Sequence, residues 1–175
     1  MKNMKKILVL IVLFSGFAAS SFAQNTTASA SGKAVILAPI SITKIPGADL
    51  DFGDIALNST SPGGTVVITP SATPTRTAPL GGVSFPSIGT FSAAGFTVGG
   101  DGNSTFAIGL PVSAVQLDGP SSSTMFISAF TSDPDGTGTL SGGTKDLYVG
   151  GTLTVGATQT LGAYTGSFDV TVNYN

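Results

Sequence analysis

The clearest pattern in the chain lies at its C-terminal end, where apolar residues fall on every second position from Phe168: Phe168, Val170, Val172 and Tyr174, with Asp169, Thr171 and Asn173 between them. A period of two separates the sets onto opposite faces of a β-strand, one buried and one wet. Similar runs recur upstream. Lys33–Lys44 reads as a strand through Ala34-Val-Ile-Leu37, Ile40 and Ile42, with Pro39 marking an edge position or a bulge. Asp49–Ile55, Gly64–Thr69 and Gly82–Phe85 are further short strands, and the Pro/Thr-rich Pro70–Pro79 reads as a crossover between sheets.

Thr90–Val98 and Ser104–Leu110 read as a hairpin closed by Gly99-Gly-Asp-Gly-Asn103, a run suited to positive φ. Ala114–Leu117 and Thr124–Phe130 form another pair, and Asp133-Pro-Asp-Gly136 is a turn. Lys145–Val155 places Leu147, Val149, Leu153 and Val155 on one face, with a bulge or kink predicted at Gly150-Gly151. No window long enough for a helix keeps apolar residues at three- and four-residue spacing without a Gly or Pro inside it. About ten short strands around one core predict an all-β, single-domain antiparallel sandwich over residues 33–175.

The N-terminal end follows a different pattern. Lys2, Lys5 and Lys6 precede the apolar run Ile7–Phe14, and Ser21-Phe22-Ala23 is a small-x-small site before Gln24. This is the layout of a secretory signal peptide over residues 1–23, cleaved between Ala23 and Gln24. The apolar run is well short of the ~20 residues a membrane span requires, so no span is expected after processing. Residues 24–32 then form a small, polar N-terminal extension.

Signal removal leaves four basic residues, Lys33, Lys44, Arg76 and Lys145, against nine Asp and no Glu, a net charge of −5. Such a balance excludes nucleic acid and anionic membrane surfaces as partners, since both need a basic footprint. The absence of cysteine removes disulfides and lipid attachment to an N-terminal Cys, so the core alone must hold the domain.

Candidate chemistry is thin. Without His or Cys, the usual general base, thiol nucleophile and transition-metal ligands are missing. Asp49, Asp51 and Asp54 flank a turn, as do Asp133 and Asp135, so they read as solvated turn carboxylates rather than a glycosidase pair. Asp133-x-Asp135-Gly136 lacks the further oxygen ligands of a calcium loop. Gly99-Gly-Asp-Gly precedes a strand, not a helix, and is no phosphate cradle. The Asn-x-Ser/Thr triplets at Asn25, Asn58 and Asn103 are expected by chance in so Ser/Thr-rich a chain. No catalytic residue, cofactor or metal is assigned, and the chain reads as a non-enzyme. An outer-membrane barrel is disfavoured by three Tyr, no Trp and Pro within several runs.

Several segments carry a resemblance: Pro39-Ile-Ser-Ile-Thr43, Leu50-Asp-Phe-Gly-Asp54, Gly64-Thr-Val-Val-Ile68, Gly151-Thr-Leu-Thr-Val155, Gly162-Ala-Tyr-Thr-Gly166 and Phe168-Asp-Val-Thr-Val-Asn-Tyr174. Together they resemble a family of small secreted bacterial β proteins, the domain of unknown function 4402. The C-terminal part is also similar to chaperone–usher fimbrial subunits of the archaic, spore-coat-U-like kind, whose last strand has a Gly fourteen positions from the end and a penultimate Tyr. Gly162 and Tyr174 occupy those positions here.

That similarity implies an incomplete immunoglobulin-like, pilin-like sandwich, completed by a chaperone's strand and then by the N-terminal extension of the next subunit. It implies partners as well: other copies of the chain in a homo-polymer, and a periplasmic chaperone and usher. The location implied is the periplasm and then the cell surface of a Gram-negative-type bacterium. Gly162, Tyr164, Phe168, Val170, Val172 and Tyr174 would form the assembly strand. Two departures stand beside it: the archaic pilins' disulfide is missing, and residues 24–31 offer only Ala28 and Ala30 as alternating apolar residues. A different function class fits the same sequence, a self-complete secreted sandwich that binds a glycan or surface partner through its Ser/Thr/Asn-rich loops.

Overall fold

The computed structural model describes residues 25–58, 62–86 and 89–175. The signal peptide expected over residues 1–23, with its cleavage site at Ala23 and Gln24, lies outside the described residues. The chain divides into two units, Met1–Val35 and Ile36–Asn175. In the first, residues 25–35 are exposed and form no regular structure. The second is an all-β, antiparallel sandwich-like arrangement.

Its strands are β1 (Ser41–Lys44), β2 (Ala56–Leu57), β3 (Gly63–Ile68), β4 (Arg76–Thr77), β5 (Val83–Ser84), β6 (Ala94–Gly99), β7 (Thr105–Gly109), β8 (Val115–Asp118), β9 (Thr124–Asp133), β10 (Thr137–Thr139), β11 (Thr144–Gly156) and β12 (Thr171–Tyr174). The only helical element among the described residues is a single 3-10 turn at Pro120–Ser122.

The long strand β11 is the spine. Along one edge it pairs with β9. Along the other it pairs first with β6, through Thr144–Val149, and then with β3, through Gly151–Gly156. The handover falls at Gly150, where a Cβ would collide with the carbonyl oxygen of Ile68, so only glycine lets the two backbones meet. The inward residues of β11 follow the alternation read from the sequence, but they serve two clusters. Leu147 and Val149 pack with Ala94, Val98, Phe106 and Leu140. Leu153 and Val155 pack with Phe52, Val66, Ile68, Val83, Ala93 and Ile127.

A three-stranded sheet, β10-β7-β12, faces the first of these clusters, and the short β2-β5 ribbon contributes Val83 and Leu57 to the second. Four sequence expectations need correction. The Thr90–Val98 and Ser104–Leu110 runs are strands but do not form a hairpin. β6 joins the large sheet and β7 the small one, because Val98 and Phe106 both point into the same core from opposite sheets. Residues 70–79 are not a crossover. They turn back so that β4 pairs with β3, with Thr69 N–H donating to Thr75 O.

The strand predicted over Lys33–Lys44 is confined to Ser41–Lys44. Pro39 has no N–H to give to a ladder, and Val35, Ile36 and Leu37 ahead of it are exposed. Asp49–Ile55 is likewise not a continuous strand. It makes one bridge, Asp51 with Ser92, before Gly53 takes φ +66°.

The irregularity expected at Gly150-Gly151 is present as a register shift against β9. From Gly150↔Thr131 to Thr152↔Ser128, β9 advances one residue more than β11. The extra residue is therefore on β9, where Ala129 has φ +48°.

Candidate functional site

The C-terminal segment reaches the small sheet in two stages. Gly162–Gly166 first docks on the β8–β9 connection. Gly162 has φ +140°, and a Cβ there would run into the ring of Pro120. Tyr164 lays its ring on Gly119, where any side chain would collide with it. Its hydroxyl donates to Thr160 O at 2.8 Å, accepts from Gln159 Nε2 at 2.7 Å and lies 2.7 Å from Ser123 Oγ. Asp118 and Thr165 exchange both backbone hydrogen bonds, at 2.8 and 3.0 Å.

Beyond this latch, Phe168, Val170, Val172 and Tyr174 turn toward the Phe106 cluster. Phe168 packs against Phe130 with ring centroids 4.9 Å apart and the planes tilted by 43°. The alternation seen in the sequence is kept, since Asp169, Thr171 and Asn173 are exposed. The ladder is shorter than the pattern. Only Thr171–Tyr174 pairs, with Gly109–Phe106 of β7, because the next partner along that strand would soon be Pro111, which has no N–H. Tyr174 closes the end by donating its hydroxyl to Ala38 O at 2.8 Å and accepting from Asp101 N–H at 2.7 Å.

The structure thus separates the six sequence-picked residues into two groups. Gly162 and Tyr164 belong to the latch; Phe168, Val170, Val172 and Tyr174 belong to the strand.

The edges of β12 are unequal. Asn175 N–H donates to Thr105 O, and the register sets Thr171 and Asn173 opposite Gly109 and Ala107. Backbone groups alternate between the two edges of a strand. Those of Val170, Val172 and Tyr174 therefore point away from β7, to an edge where no strand pairs among the described residues.

Next to this segment the second cluster is open. A groove of about 1220 Å³ runs between Leu50–Leu57 on one side and Tyr164–Phe168 on the other, with an apolar floor of Leu117, Met125, Ile127, Leu153 and Val155 and polar groups along its sides. Its volume exceeds the ~300–1,000 Å³ of a small-molecule pocket. Sequence reasoning missed the groove. It lies where no strand covers the second cluster among the described residues, and an uncovered space leaves no period in the sequence.

The carboxylates Asp49, Asp51 and Asp54 stand on the groove's Leu50 side. Asp49 is paired with Lys44, and Asp51 Oδ1 accepts from Gly53 N–H at 2.8 Å. That second bond is a local turn contact, in keeping with the turn role read from the sequence. No group of three or more His, Cys, Asp or Glu is arranged to hold a metal among the described residues. No helix among them is long and apolar enough to cross a membrane. At Asp133-Pro-Asp-Gly136 the chain passes from the large sheet to the small one, through a cis Asp133–Pro134 bond and Gly136 at φ +62°.

Comparison with curated proteins and with solved structures finds no match. The family model described as a domain of unknown function, DUF4402, matches residues 40–174, a span holding both core clusters, the latch and the C-terminal strand, and the chain belongs to that family.

Proposed function

We propose that this protein is a secreted structural or adhesive subunit of the bacterial cell surface, non-catalytic, whose sandwich accepts a β-strand from another polypeptide. The observation that carries this reading is the outward-facing backbone edge at Val170, Val172 and Tyr174, together with a partly apolar groove whose lining reaches Phe168, two residues before that edge. An open edge near a partly apolar groove supports strand addition, in which main-chain bonds supply affinity and alternate side chains fill the groove. This supports the reading of a pilin-like subunit.

The donor in this reading is the N-terminal segment of another copy. Val35 and Ile36 are 84 % and 96 % exposed, more apolar than the Ala28 and Ala30 to which the sequence first points. Lys33 ahead of them matches the acidic side of the groove at Asp51 and Asp54. Export by the N-terminal signal would deliver the chain to the periplasm, where a chaperone's strand could fill the groove before assembly.

Hydrogen exchange on the mature chain, residues 24–175, tests this. The Val170, Val172 and Tyr174 amides exchange fast in monomer and become protected in multimers, while Ile36→Asp stays monomeric with fast exchange. A monomer in which those three amides are as protected as Leu153 sinks the reading.

A further inference from the structure

The outer face of the large sheet is a second surface, pointing away from the groove. On β8, β9, β11 and β3 the inward residues are Leu117, Ile127, Leu153 and Val66, so their neighbours in each strand point outward. The strand registers join these neighbours into a continuous row: Gln116 opposite Phe126, Phe126 opposite Thr154, and Thr154 opposite Thr65. A parallel row runs from Ser128 through Thr152 and Val67 to Thr77. At the ~4.8 Å spacing of adjacent strands, the first row spans about 14 Å.

The chemistry of this face is unusual for a wet sheet surface. These rows contain no Lys, Arg or Glu, and the one carboxylate beside them, on Asp118, accepts from Gln116 Nε2 at 2.7 Å. In the middle of the hydroxyls stands Phe126, 44 % exposed.

We infer that this face binds a neutral polysaccharide. A pyranose ring has an apolar C–H face that packs on an aromatic ring. Its rim of hydroxyls both donates and accepts, which matches Thr hydroxyls, the Gln116 amide and the Asp118 carboxylate. An anionic glycan or nucleic acid would need cations that the face lacks. A protein partner would need an apolar centre with several large anchors, and here one ring is surrounded by hydroxyls. The face lies on the opposite side of the sheet from the groove, so this inference stands or falls independently of strand donation.

Native affinity electrophoresis of the mature chain tests it, with mixed-linkage β-glucan, xyloglucan and glucomannan as neutral probes and polygalacturonate as the anionic control. The expected result is retardation by at least one neutral polysaccharide and none by polygalacturonate. Phe126→Ala weakens that binding about tenfold, and Thr154→Arg, which sets a bulky cation beside the ring, abolishes it. Val112→Ala, which removes an exposed apolar side chain outside both rows, leaves it unchanged. Circular dichroism melts establish that each variant is folded, and Thr154→Arg carries the test if Phe126→Ala does not fold. Absence of retardation by all three neutral probes overturns the inference. So do equal retardation by polygalacturonate, full binding by the folded face variants, and equal loss in Val112→Ala.

Discussion

The latch at Tyr164 gives the sharpest test of how the C-terminal segment is held. In Tyr164→Phe the ring stays on Gly119 and only the hydroxyl is lost. Three groups lie within hydrogen-bond distance of it, but they do not lose equally. Ser123 Oγ keeps Pro120 O at 2.7 Å, and Gln159 Nε2 keeps Thr124 O at 3.1 Å. Thr160 O loses its donor, yet Thr160 is exposed and water can replace the bond. The cost is therefore that of one or two net hydrogen bonds, about 1–2 kcal/mol, without the further penalty for a buried orphan. Tyr164→Ala also removes the ring from the β8–β9 connection and costs about 3–4 kcal/mol, as large-to-small aromatic truncations do. Urea unfolding of the mature chain reads both values, with the wild-type slope kept by Tyr164→Phe. Exchange at Gly162–Phe168 should speed up more than exchange at Leu147–Leu153. Equal stability of wild type and Tyr164→Ala would show that the latch holds nothing.

Four other predictions follow from single features. Ala129→Gly relieves a left-handed alanine, whose cost of ~1–2 kcal/mol outweighs the entropy glycine loses on folding, so a gain of up to about 1 kcal/mol is expected by thermal melt. Gly150→Ala forces apart β11 and the end of β3 at Ile68 O and should cost about 2–4 kcal/mol in the same assay. Ser132→Ala removes a buried hydroxyl that has no hydrogen-bond partner among the described residues; stability should hold or rise by about 1 kcal/mol, and a loss of more than that would show that the hydroxyl is bonded. Val172→Asp puts a carboxylate against the Phe106 cluster and should cost about 2–4 kcal/mol, whereas Asn173→Asp, one residue on and facing water, should be neutral.

What could be read from the sequence depended on whether a feature is local to one strand. The inward faces of β11 and the C-terminal segment were legible because burial on one side of a strand writes a period of two into that strand alone. Leu147, Val149, Leu153, Val155 and Phe168–Tyr174 all keep it. Pairing was less legible. β6 and β7 are joined by five residues rich in glycine, as a hairpin would be, yet they lie in different sheets. A turn that reverses a strand and one that carries it across the core use the same glycines. The irregularity beside Gly150 was legible, but its owner was not. A glycine marks where backbone approaches closely, while the extra residue sits on the partner strand at Ala129, a type that gives no such signal. Of the site, the strand could be read and the groove could not, since the groove is set by what Leu50–Leu57 and Tyr164–Phe168 leave uncovered between them.

The two clusters on β11 are unequal, and that inequality links fold to proposed use. The Phe106 cluster is faced by a three-stranded sheet and includes the largest fully buried side chain among the described residues, Phe106 itself. The Phe52 cluster has the shorter β2-β5 ribbon and keeps Leu117 and Met125 only half-buried along the groove. A substitution such as Val172→Asp acts on the covered half, so it lowers stability whether or not anything binds. A strand laid in the groove acts on the open half, and it adds stability only as its concentration rises above its dissociation constant, by about 2.7 kcal/mol at a hundredfold excess. Because Leu147 and Val149 continue directly into Leu153 and Val155 on one strand, filling the open half also braces the covered one. The chain has no cysteine for a disulfide, and among its described residues the ion pair is Lys44 with Asp49, so little else connects the two halves. The spine strand is thus the physical route by which occupancy of the groove would be felt at β12.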